Sequence, residues 1–521
     1  MKVRTRCMVG LMLVVALLGG VTVSGIAADG QVLTFLIRNI PRGLDPAIIT
    51  GWSIRSIDPV YEALLGYESD TGAIIPKLAE SWEVSQDGLT YTFHLQQGVM
   101  FHDGTELTAE TVKANIERVL AIGTGPATVL GPVTEVQVID NYEVDILLDS
   151  TYPDFLHALT QLYLVSQVAV TEHGTDEDPW AMEWFRDNMT GTGPYKLEAW
   201  DATSEQVLVK NEDYWQGARP DGVDIIRFFV VLEVATQRMM LLSGEAQIID
   251  QVAVEDIATM EADPDFNVQV IPEMGMFYLH MRSDTGPLSD ARTRLALTYA
   301  FPWEDYLEGA MNGVYPQAQG PIPRGMTVHE EAIPVYKQDL ERSAELFALA
   351  GVNPETLSLT LRIVEKWTPM VRAAEIFQYA LSQLGISLEI QELNWSTLCA
   401  QARNEQEAAD MSFVSVGAKM PSPTLLLKDA FHSSSRGTAY NWGWYSNPTL
   451  DALLDEASSV LDEDRRATLY QQAQLILFAD APAIFVMENS AMFSMSSKVK
   501  GYVANLSTPY VINFFDITLD D

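Results

Sequence analysis

Apolar and polar residues alternate in many short segments of the chain, and this pattern predicts a mixed α/β protein. In GLTYTFHL (88–95) every second residue is apolar, which predicts a strand with one buried face. The HDG turn at 102–104 follows, and Thr108 can cap the next helix. The buried stripe of that helix is predicted to consist of Val112, Ile116, Val119 and Leu120.

The clearest parallel unit lies late in the chain. Alternation at 357–363 predicts a strand, 369–384 has the spacing of a helix that ends before Gly385, and 386–390 alternates again. This order predicts a βαβ unit with two parallel strands. A third strand is predicted near 410–416.

The carboxyl ends of these strands predict where a ligand would bind, because ligands of open α/β sheets lie beyond them. Those ends carry Trp367, Trp395 and Lys419, which we expect to lie near one crevice. Two further apolar runs, MFYLHM (276–281) and AIFVM (483–487), predict buried strands. Helices are predicted at 450–461 and 469–477.

The first 28 residues have the pattern of a secretory signal peptide. Three basic residues precede an uncharged apolar run from Met8 to Leu18, and the small residues SGIAA lead to Asp29. The alternative is an uncleaved membrane anchor, which the short run and its interspersed glycines disfavour. We expect cleavage near residues 27–28 and a periplasmic or extracellular mature chain.

Charge and cysteine content narrow the class of protein. Without the signal peptide, 29 Lys and Arg face 71 Asp and Glu, a formal charge of −42. Such a surface repels nucleic acid and anionic lipid, so neither is expected as a partner. Cys399 would be the only cysteine of the mature chain, so no intramolecular disulfide is expected. The 521-residue length is sufficient for more than one structural lobe.

The segment HLQQGVMFHDGTE (94–106) contains two histidines and two acidic residues and raises the question of a metal site. Zinc ligands usually have helical or knuckle spacing, which this segment lacks. The sequence also has no HExxH, GxSxG, P-loop or paired CxxC motif. No metal, cofactor or catalytic residue is therefore expected, although an active site assembled from distant residues leaves no motif.

Ordered segments along the whole chain resemble family 5 of the extracellular solute-binding proteins, the peptide and nickel receptors of ABC importers. The signature region is LAESWEVSQDGLTYTFHLQQGVMFHDGTELTAETVKANIERV (78–119). Further matches are VYEALLGYE (60–68), GTGPYKLEAW (191–200), KNEDYWQG (210–217), PLSDARTRLALTYAF (287–301) and YSNPTLDALLDEA (445–457). The resemblance implies that FHDG (101–104) is a fold element away from the ligand.

The resemblance implies an α/β protein with a two-lobed periplasmic-binding-protein-like fold of type II, three domains and a ligand cleft between the lobes. After the signal peptide at 1–28, domain I would comprise 29–61, 186–285 and 490–521, domain II 62–185, and domain III 286–489. The strands at 276–281 and 483–487 would then be the crossings between lobes. A ligand bound between the lobes would favour a closed form, which a membrane permease recognises.

One loop departs from the family pattern. Peptide-binding members usually carry, after the third strand of the late unit, a Trp, an Asp that pairs with the ligand's amino terminus, and Asp-Pro. Aligned on Pro423, these positions hold Val416, Lys419 and Ser422. A lysine cannot pair with an ammonium group. We therefore expect Lys419 to face an anionic or hydroxyl-rich ligand group; the alternative is a lysine paired with a protein carboxylate or in solvent.

The predicted ligand-binding residues are tryptophans in loops that the resemblance places near the cleft, together with Lys419 and one asparagine. They are Trp52, Trp367, Trp395, Lys419, Asn441, Trp442 and Trp444. The alternative for each tryptophan is packing in the protein interior. Arg55 and His280 are weaker candidates, with a surface arginine and a strand-end histidine as the alternatives.

The predicted function is that of an extracytoplasmic receptor that captures a peptide or another small organic solute and delivers it to an ABC importer. Its expected partners are that ligand and the permease subunits in the membrane, and the protein is expected to be a monomer without a cofactor. Three alternatives stay open: the same fold binding an oligosaccharide or anionic solute, a secreted enzyme, and a sensory receptor.

Overall fold

The computed structural model describes residues 30–520 except 39, 42, 50, 70, 418, 419, 439 and 510. The predicted signal peptide and Lys419 therefore lie outside the described residues. The strands are β1 (Val32–Ile37), β2 (Leu65–Tyr67), β3 (Ile74–Pro76), β4 (Ala79–Val84), β5 (Thr90–Leu95), β6 (Val133–Asp140), β7 (Glu143–Leu148), β8 (Tyr195–Asp201), β9 (Glu205–Lys210), β10 (Ile225–Val230), β11 (Ile248–Ile249), β12 (Phe266–Met281), β13 (Ser358–Val364), β14 (Ser387–Leu393), β15 (Met411–Gly417), β16 (Ala483–Ser496), β17 (Val499–Lys500) and β18 (Thr518–Leu519). The helices are α1 (Ala109–Ile122), α2 (Phe155–Leu159), α3 (Gln167–His173), α4 (Met182–Phe185), α5 (Val234–Ser243), α6 (Ile257–Glu261), α7 (Ala291–Ala300), α8 (Leu340–Ala350), α9 (Thr368–Ser382), α10 (Trp395–Ala402), α11 (Pro423–Phe431), α12 (Pro448–Ala457) and α13 (Glu463–Asp480).

A ten-stranded mixed sheet connects the two halves of the molecule, in the order β14-β13-β15-β12-β16-β11-β1-β10-β9-β8. The end with β8–β11 and β1, together with the four-stranded sheet β4-β5-β7-β6, is called the first lobe. The end with β13, β14 and β15, together with α7–α13, is called the second lobe. The central strands β12 and β16 belong to both and join them.

The crossing strands β12 and β16 are longer than the sequence predicts. They pair in antiparallel fashion from Phe266 opposite Ser496 to His280 opposite Ala483. The predicted strands 276–281 and 483–487 are thus confirmed, but they are only the second-lobe ends. The register shifts between Pro272 and Met276. Polar residues lie at this irregularity, so the apolar pattern stops where the strands pass between the lobes.

The small sheet of the first lobe confirms the strand, turn and helix predicted around residues 88–122. Strand β5 pairs with β4 on one side and β7 on the other. Helix α1 begins after Thr108 and is followed by Gly123, whose φ of 71° lies in the left-handed region that favours glycine. Val112, Ile116 and Val119 are buried, as predicted, whereas the fourth predicted residue, Leu120, is only partly buried.

The predicted βαβ unit in the second lobe is confirmed. Strands β13 and β14 are parallel, α9 connects them, and Gly385 follows with φ 81°. Strand β15 pairs with β13 in parallel and with β12 in antiparallel orientation. The prediction that a helix extends to Leu461 is wrong, because α12 ends at Ala457.

Separate hydrophobic clusters stabilise the lobes. One lies in the first lobe around Phe35 and Phe228, and another lies between α1 and the small sheet. Two more cover the two faces of the second-lobe sheet. In the part of the chain that the structure describes, no helix is both long and apolar enough to cross a membrane. The three-domain boundaries given above stay a prediction.

Candidate ligand-binding site

A cavity of about 330 Å³ lies where the two lobes and the crossing strands meet. The first lobe contributes Arg38, Asp250, Gln251 and Val252, the crossing strands Glu273, Met487, Asn489, Ser490 and Met492, and the second lobe Tyr315, Trp367 and Ser415. This volume is within the usual range of small-molecule pockets, roughly 300–1,000 Å³. The cavity is therefore the candidate ligand-binding site.

A buried ion pair forms part of the first-lobe wall. Arg55 Nη1 donates to Asp250 Oδ2 at 2.7 Å, and both side chains are almost fully buried. The guanidinium lies 5.4 Å from the Phe35 ring and 5.3 Å from the Phe493 ring, while Gln237 donates to Asp250 at 3.3 Å. Burial raises the pKa of Asp250, and the Arg55 charge acts in the opposite direction. These contacts fix the position of the Asp250 carboxylate beside the cavity.

A second carboxylate, that of Glu273, faces the cavity from the irregular part of β12. Its Oε1 atom is buried, and no described residue forms a hydrogen bond with it. Burial raises the pKa of Glu273 to about 7, and the nearby Arg55 charge only partly opposes this shift. The pKa of Tyr315 is raised to about 12, mainly by burial and further by the Glu273 charge. Glu273 therefore titrates near neutral pH in the wall of the cavity.

A glycine permits a polar contact across the sheet at the cavity. Asn489 Nδ2 on β16 donates to Ser415 Oγ on β15 at 2.9 Å, although β12 lies between these two strands. The contact passes over Gly275, where an added Cβ would lie 2.8 Å from Asn489 Nδ2 and 2.9 Å from the Val416 carbonyl oxygen. A side chain at this position would displace Asn489, so Gly275 is required by the close approach.

A second cavity of about 390 Å³ lies beside the first and also has Glu273 in its wall. Its apolar lining includes Pro272, Met274, Met326, Pro421, Pro423 and Leu506. It also contains Glu488, whose Oε1 lies 3.0 Å from Arg324 Nε. The remaining lining residues, Thr71, Gly72, His157, Gly325, Thr327 and Ser507, come from both lobes. Both cavities therefore lie in the cleft between the lobes.

The lobes also contact each other directly on two sides of the cleft. Asp154 in the first lobe accepts hydrogen bonds from the hydroxyls of Ser422 and Thr424 in the second lobe. Elsewhere, Arg372 of the second lobe forms an ion pair with Glu255 of the first lobe. Because both sides are joined, the structure describes a closed form of the molecule.

Trp367 is the predicted residue that the structure places in the cavity wall. Its ring makes an edge-to-face contact with Phe277 on β12, with 5.5 Å between ring centroids. Lys366, directly before it, has a left-handed φ of 60° and turns the chain from the β13 end into α9. The side chain is half-buried, which leaves part of the indole available to a ligand.

Four other predicted residues form a separate group in the second lobe. Trp395 is 43% exposed and lies 5.7 Å from Trp442, whose own side chain is buried. The Trp444 indole donates to the Ala402 carbonyl at 3.1 Å. Both polar atoms of the Asn441 side chain already form hydrogen bonds within the protein: Nδ2 donates to two backbone carbonyls, and Oδ1 accepts from the Tyr445 N–H. None of the four lines the cavity that contains Trp367.

Strand order explains why Trp395 and Trp367 are not brought together. Trp395 follows β14, which is the edge strand, whereas β15 lies next to the crossing strand β12. The end of β14 is therefore distant from the place where the lobes meet. The expected crevice includes the ends of β13 and β15 but not that of β14.

The other predicted residues are Trp52, Lys419, Arg55 and His280, of which the structure describes the side chains of Arg55 and His280 only. Trp52 lies in a short 3₁₀ helix at Gly51–Ser56, but its side chain is outside the described part of the structure, as is Lys419. Arg55 is buried in the ion pair described above and is not a surface residue. His280 is 1% exposed between aromatic rings, and burial lowers its pKa to about 3, so it is a neutral core residue.

The histidines of the FHDG region have structural contacts. His102 Nε2 lies 2.9 Å from the Gly193 carbonyl, and His94 Nδ1 lies 3.3 Å from Glu143. Among the described residues, no group of three or more His, Cys, Asp or Glu side chains is arranged to hold a metal ion. The two histidines therefore belong to the framework of the first lobe.

Glu273, Asp250 and Asn489 line the cavity but were not predicted from the sequence. Two of these lie in strands whose apolar ends were recognised: IPEMGMFYLHM (271–281) and AIFVMENSAMFSM (483–495). In each strand a carboxylate interrupts a run of apolar residues. This interruption is the signal that marks the passage through the cleft, because polar groups are tolerated there and are costly in the lobe interiors.

The two lobes, the paired crossing strands and the cavity between them define a two-lobed solute-binding protein. Residues 73–438 match the profile described as bacterial extracellular solute-binding proteins, family 5 Middle. The chain therefore belongs to family 5 of the bacterial extracellular solute-binding proteins, as the sequence resemblance implies.

Individual relatives extend over nearly the whole chain. A probable D,D-dipeptide-binding periplasmic protein, DdpA of Escherichia coli K12, is 27% identical over 91% of this chain and 91% of its own length. Heme-binding protein A of Haemophilus influenzae is 27% identical over 95% of this chain and 93% of its own length. Among solved structures, the periplasmic binding protein DppA from Helicobacter pylori, in complex with the peptide STSA, has a TM-score of 0.80 and 25% identity. That alignment covers 94% of this chain and 98% of the other.

Proposed function

We propose that this protein captures a peptide or a peptide-like small organic solute in the cleft between its lobes and delivers it to an ABC importer. The observation that carries the proposal is the cavity of about 330 Å³, which is lined by both lobes and by the strands that join them. A ligand in this position contacts groups whose arrangement depends on closure. It therefore binds the closed form more tightly and shifts the population toward it.

The chemistry of the cavity agrees with a solute that has both polar and apolar parts. Asp250, Glu273 and Arg38 provide charged groups, while Trp367 and Met487 provide apolar surface. The D,D-dipeptide and STSA peptide named for two of the similar proteins are molecules of this kind. The heme named for a third relative is the reason for including non-peptide solutes in the proposal.

Delivery of the solute to an ABC importer requires that the protein is exported and that it docks on the permease. We infer that residues 1–28 direct export, that cleavage occurs near residues 27–28, and that the mature protein acts in the periplasm or outside the cell. It acts there as a monomer that docks on permease subunits and releases its ligand chemically unchanged. Trp367, Trp52 and Lys419 remain proposed ligand-binding residues, whereas Trp395, Asn441, Trp442 and Trp444, which were also predicted from the sequence, are not proposed to contact a ligand in this cavity.

Two measurements test this proposal. Native mass spectrometry of the exported protein identifies the co-purified solute, and small-angle scattering of the stripped and reloaded protein measures closure. The radius of gyration is expected to decrease when the solute binds, because hinge closure makes the molecule more compact. An identical scattering profile at saturating solute, or chemical conversion of the solute, would contradict capture and delivery.

A further inference from the structure

Glu273 stands in the wall shared by two chambers of different character. The chamber of about 330 Å³ contains polar groups such as Arg38, Ser415 and Asn489. The chamber of about 390 Å³ has methionine, proline and leucine side chains in its lining, including Met274, Met326 and Leu506. A ligand that extends through both chambers would pass directly beside the Glu273 carboxylate.

The carboxylates that line these chambers differ in their partners. Asp250 is paired with Arg55 at 2.7 Å, and Glu488 lies 3.0 Å from Arg324. For Glu273, the described residues provide no ion pair, and its Oε1 atom is buried without a hydrogen bond. A buried carboxylate is costly unless it is hydrogen-bonded or paired with a cation. Of these three carboxylates, Glu273 is therefore the one that is available to pair with a cationic group of the ligand.

The described residues do little to offset the cost of burying the ionised form of Glu273. The guanidinium of Arg55 is near enough to influence it, but the pair with Asp250 holds that group in the first-lobe wall. A raised pKa is the consequence, since burial favours the protonated form of the acid. A cation bound beside the carboxylate would reverse this preference and hold Glu273 in its ionised form.

We propose that the ligand carries a protonated nitrogen group that pairs with Glu273, and that an apolar part next to this group occupies the chamber around Met326 and Leu506. This inference rests on the proposed capture function and assigns the chemical class of the ligand. Recognition of the cation comes from the crossing strand β12. The loop after β15, which has no acidic residue between Met411 and Leu427, is not needed for it.

The test uses two sets of synthetic probes. One set consists of dipeptide amides with phenylalanine in the second position and every common residue in the first. The other set contains the same compounds with an acetylated amino terminus. Calorimetry is expected to show that the wild-type protein binds free-amine members roughly tenfold or more tightly than their acetylated counterparts, because a charge-assisted hydrogen bond is lost on acetylation.

Variants assign this discrimination to one residue. Glu273→Gln is expected to bind both sets about equally, and Glu273→Asp to retain a preference for the free amine. Glu341→Gln is the control, because it makes the same substitution at an exposed position of α8 that lines neither chamber. It is expected to keep the full discrimination. Circular dichroism confirms that each variant is folded before binding is compared.

Several outcomes would overturn the inference. These are a wild-type protein that binds no free-amine probe, equal binding of both sets, or full discrimination by Glu273→Gln. The capture function is tested separately by the co-purified solute and by scattering. If a neutral or anionic solute closes the lobes, capture stands and the role assigned to Glu273 is wrong; if no solute binds, capture itself fails.

Discussion

The Asp154 carboxylate of the first lobe accepts a hydrogen bond from the Ser422 hydroxyl of the second lobe. Thr424 Oγ1 donates to the same carboxylate at 3.1 Å, and Arg466 Nη1 lies 3.6 Å from its other oxygen. Asp154 is 6% exposed, so these contacts are shielded from water. A single acidic side chain thus joins two segments of the second lobe to the first lobe in the closed form.

Asp154→Ala is expected to shift the ligand-free protein toward open forms, because the hydrogen bonds of Asp154 exist only when the lobes meet. Removing a charged hydrogen-bond partner of this kind costs about 1–3 kcal/mol of closure free energy. Scattering should therefore show a larger radius of gyration for the variant than for the wild type. Asp149→Ala is the control, since Asp149 is exposed and bonds its neighbour Ser150. Equal radii for Asp154→Ala and wild type would contradict this role.

Asp250→Asn is expected to destabilise the whole protein by about 3–5 kcal/mol, because it removes the carboxylate charge that is paired with the buried Arg55 guanidinium. The distance of 2.7 Å and the burial of both groups make this pair sensitive to the loss of one partner. Chemical denaturation measures the change in unfolding free energy. Asp516→Asn is the control, because it removes the largely exposed pair with Arg219 and should cost less than about 1 kcal/mol. Similar losses in both variants would show that burial of the Arg55 pair has no special effect.

Glu273→Gln is expected to stabilise the ligand-free protein at pH 8 and to have little effect at pH 4. The pKa of Glu273 is raised from 4.5 to about 7 in the folded protein. Below pH 4.5 the acid is protonated in both folded and unfolded states, so it changes stability little. Between pH 4.5 and 7 the carboxyl is ionised in the unfolded state but protonated in the folded state, so stability falls across this range and levels off above pH 7. The full shift corresponds to about 3–3.5 kcal/mol.

Thermal unfolding of wild type and Glu273→Gln across this pH range measures the effect. The charged and titratable groups around Glu273 are unchanged in the variant: Arg38, Arg55, Asp250, His157, Tyr315, Glu488 and Arg324. Glu341→Gln, at an exposed position of α8, controls for the loss of one surface charge. A difference between Glu273→Gln and wild type that is the same at pH 4 and pH 8 would exclude the titration of Glu273 as its cause.

Trp367→Ala is expected to weaken binding of the co-purified solute by about 1–3 kcal/mol, because its indole forms part of the cavity wall. Trp395→Ala should have a much smaller effect, since Trp395 lies outside that cavity and is 43% exposed. Both variants are compared by calorimetry with the solute identified by mass spectrometry. A larger loss for Trp395→Ala would place the ligand near the end of β14 instead.

Gly275→Ala is expected to destabilise the protein by roughly 1–3 kcal/mol, because the added Cβ would overlap Asn489 Nδ2 and the Val416 carbonyl. Gly417→Ala is a closely matched control: Gly417 pairs with Gly275 across the sheet, and a Cβ added there meets nothing within 4 Å. Denaturant midpoints of the two variants provide the comparison. If Gly275→Ala unfolds at the wild-type midpoint, the close approach of Asn489 is not a constraint.

Local patterns predicted the elements of the fold well where one face of an element is apolar. Strand β5, helix α1 and the unit from β13 to β14 are confirmed for this reason. The crossing strands were predicted too short, because Glu273 and Glu488 interrupt their apolar pattern inside the cleft. A pattern that reports burial cannot recognise a strand where its side chains face a binding cavity.

The site was only partly predictable for a different reason. Trp367 was found because strand ends mark ligand sites in α/β sheets, and it lies in the cavity wall. The same reasoning failed to separate it from Trp395, because the lateral order of strands is not encoded in any local segment. Arg55 and Asp250 are 195 residues apart in the sequence, so their pairing is visible only in three dimensions.

The neighbouring positions of the crossing strands have an evolutionary consequence. The chain leaves the first lobe along β12 and returns along β16, where Pro272 and Ser490 are paired. Everything between them is therefore an insertion whose two ends are adjacent. Recombination at these two points would exchange one complete half of the cleft as a cassette and leave the path of the first lobe intact. New specificities could thus arise by replacing a unit instead of accumulating single substitutions.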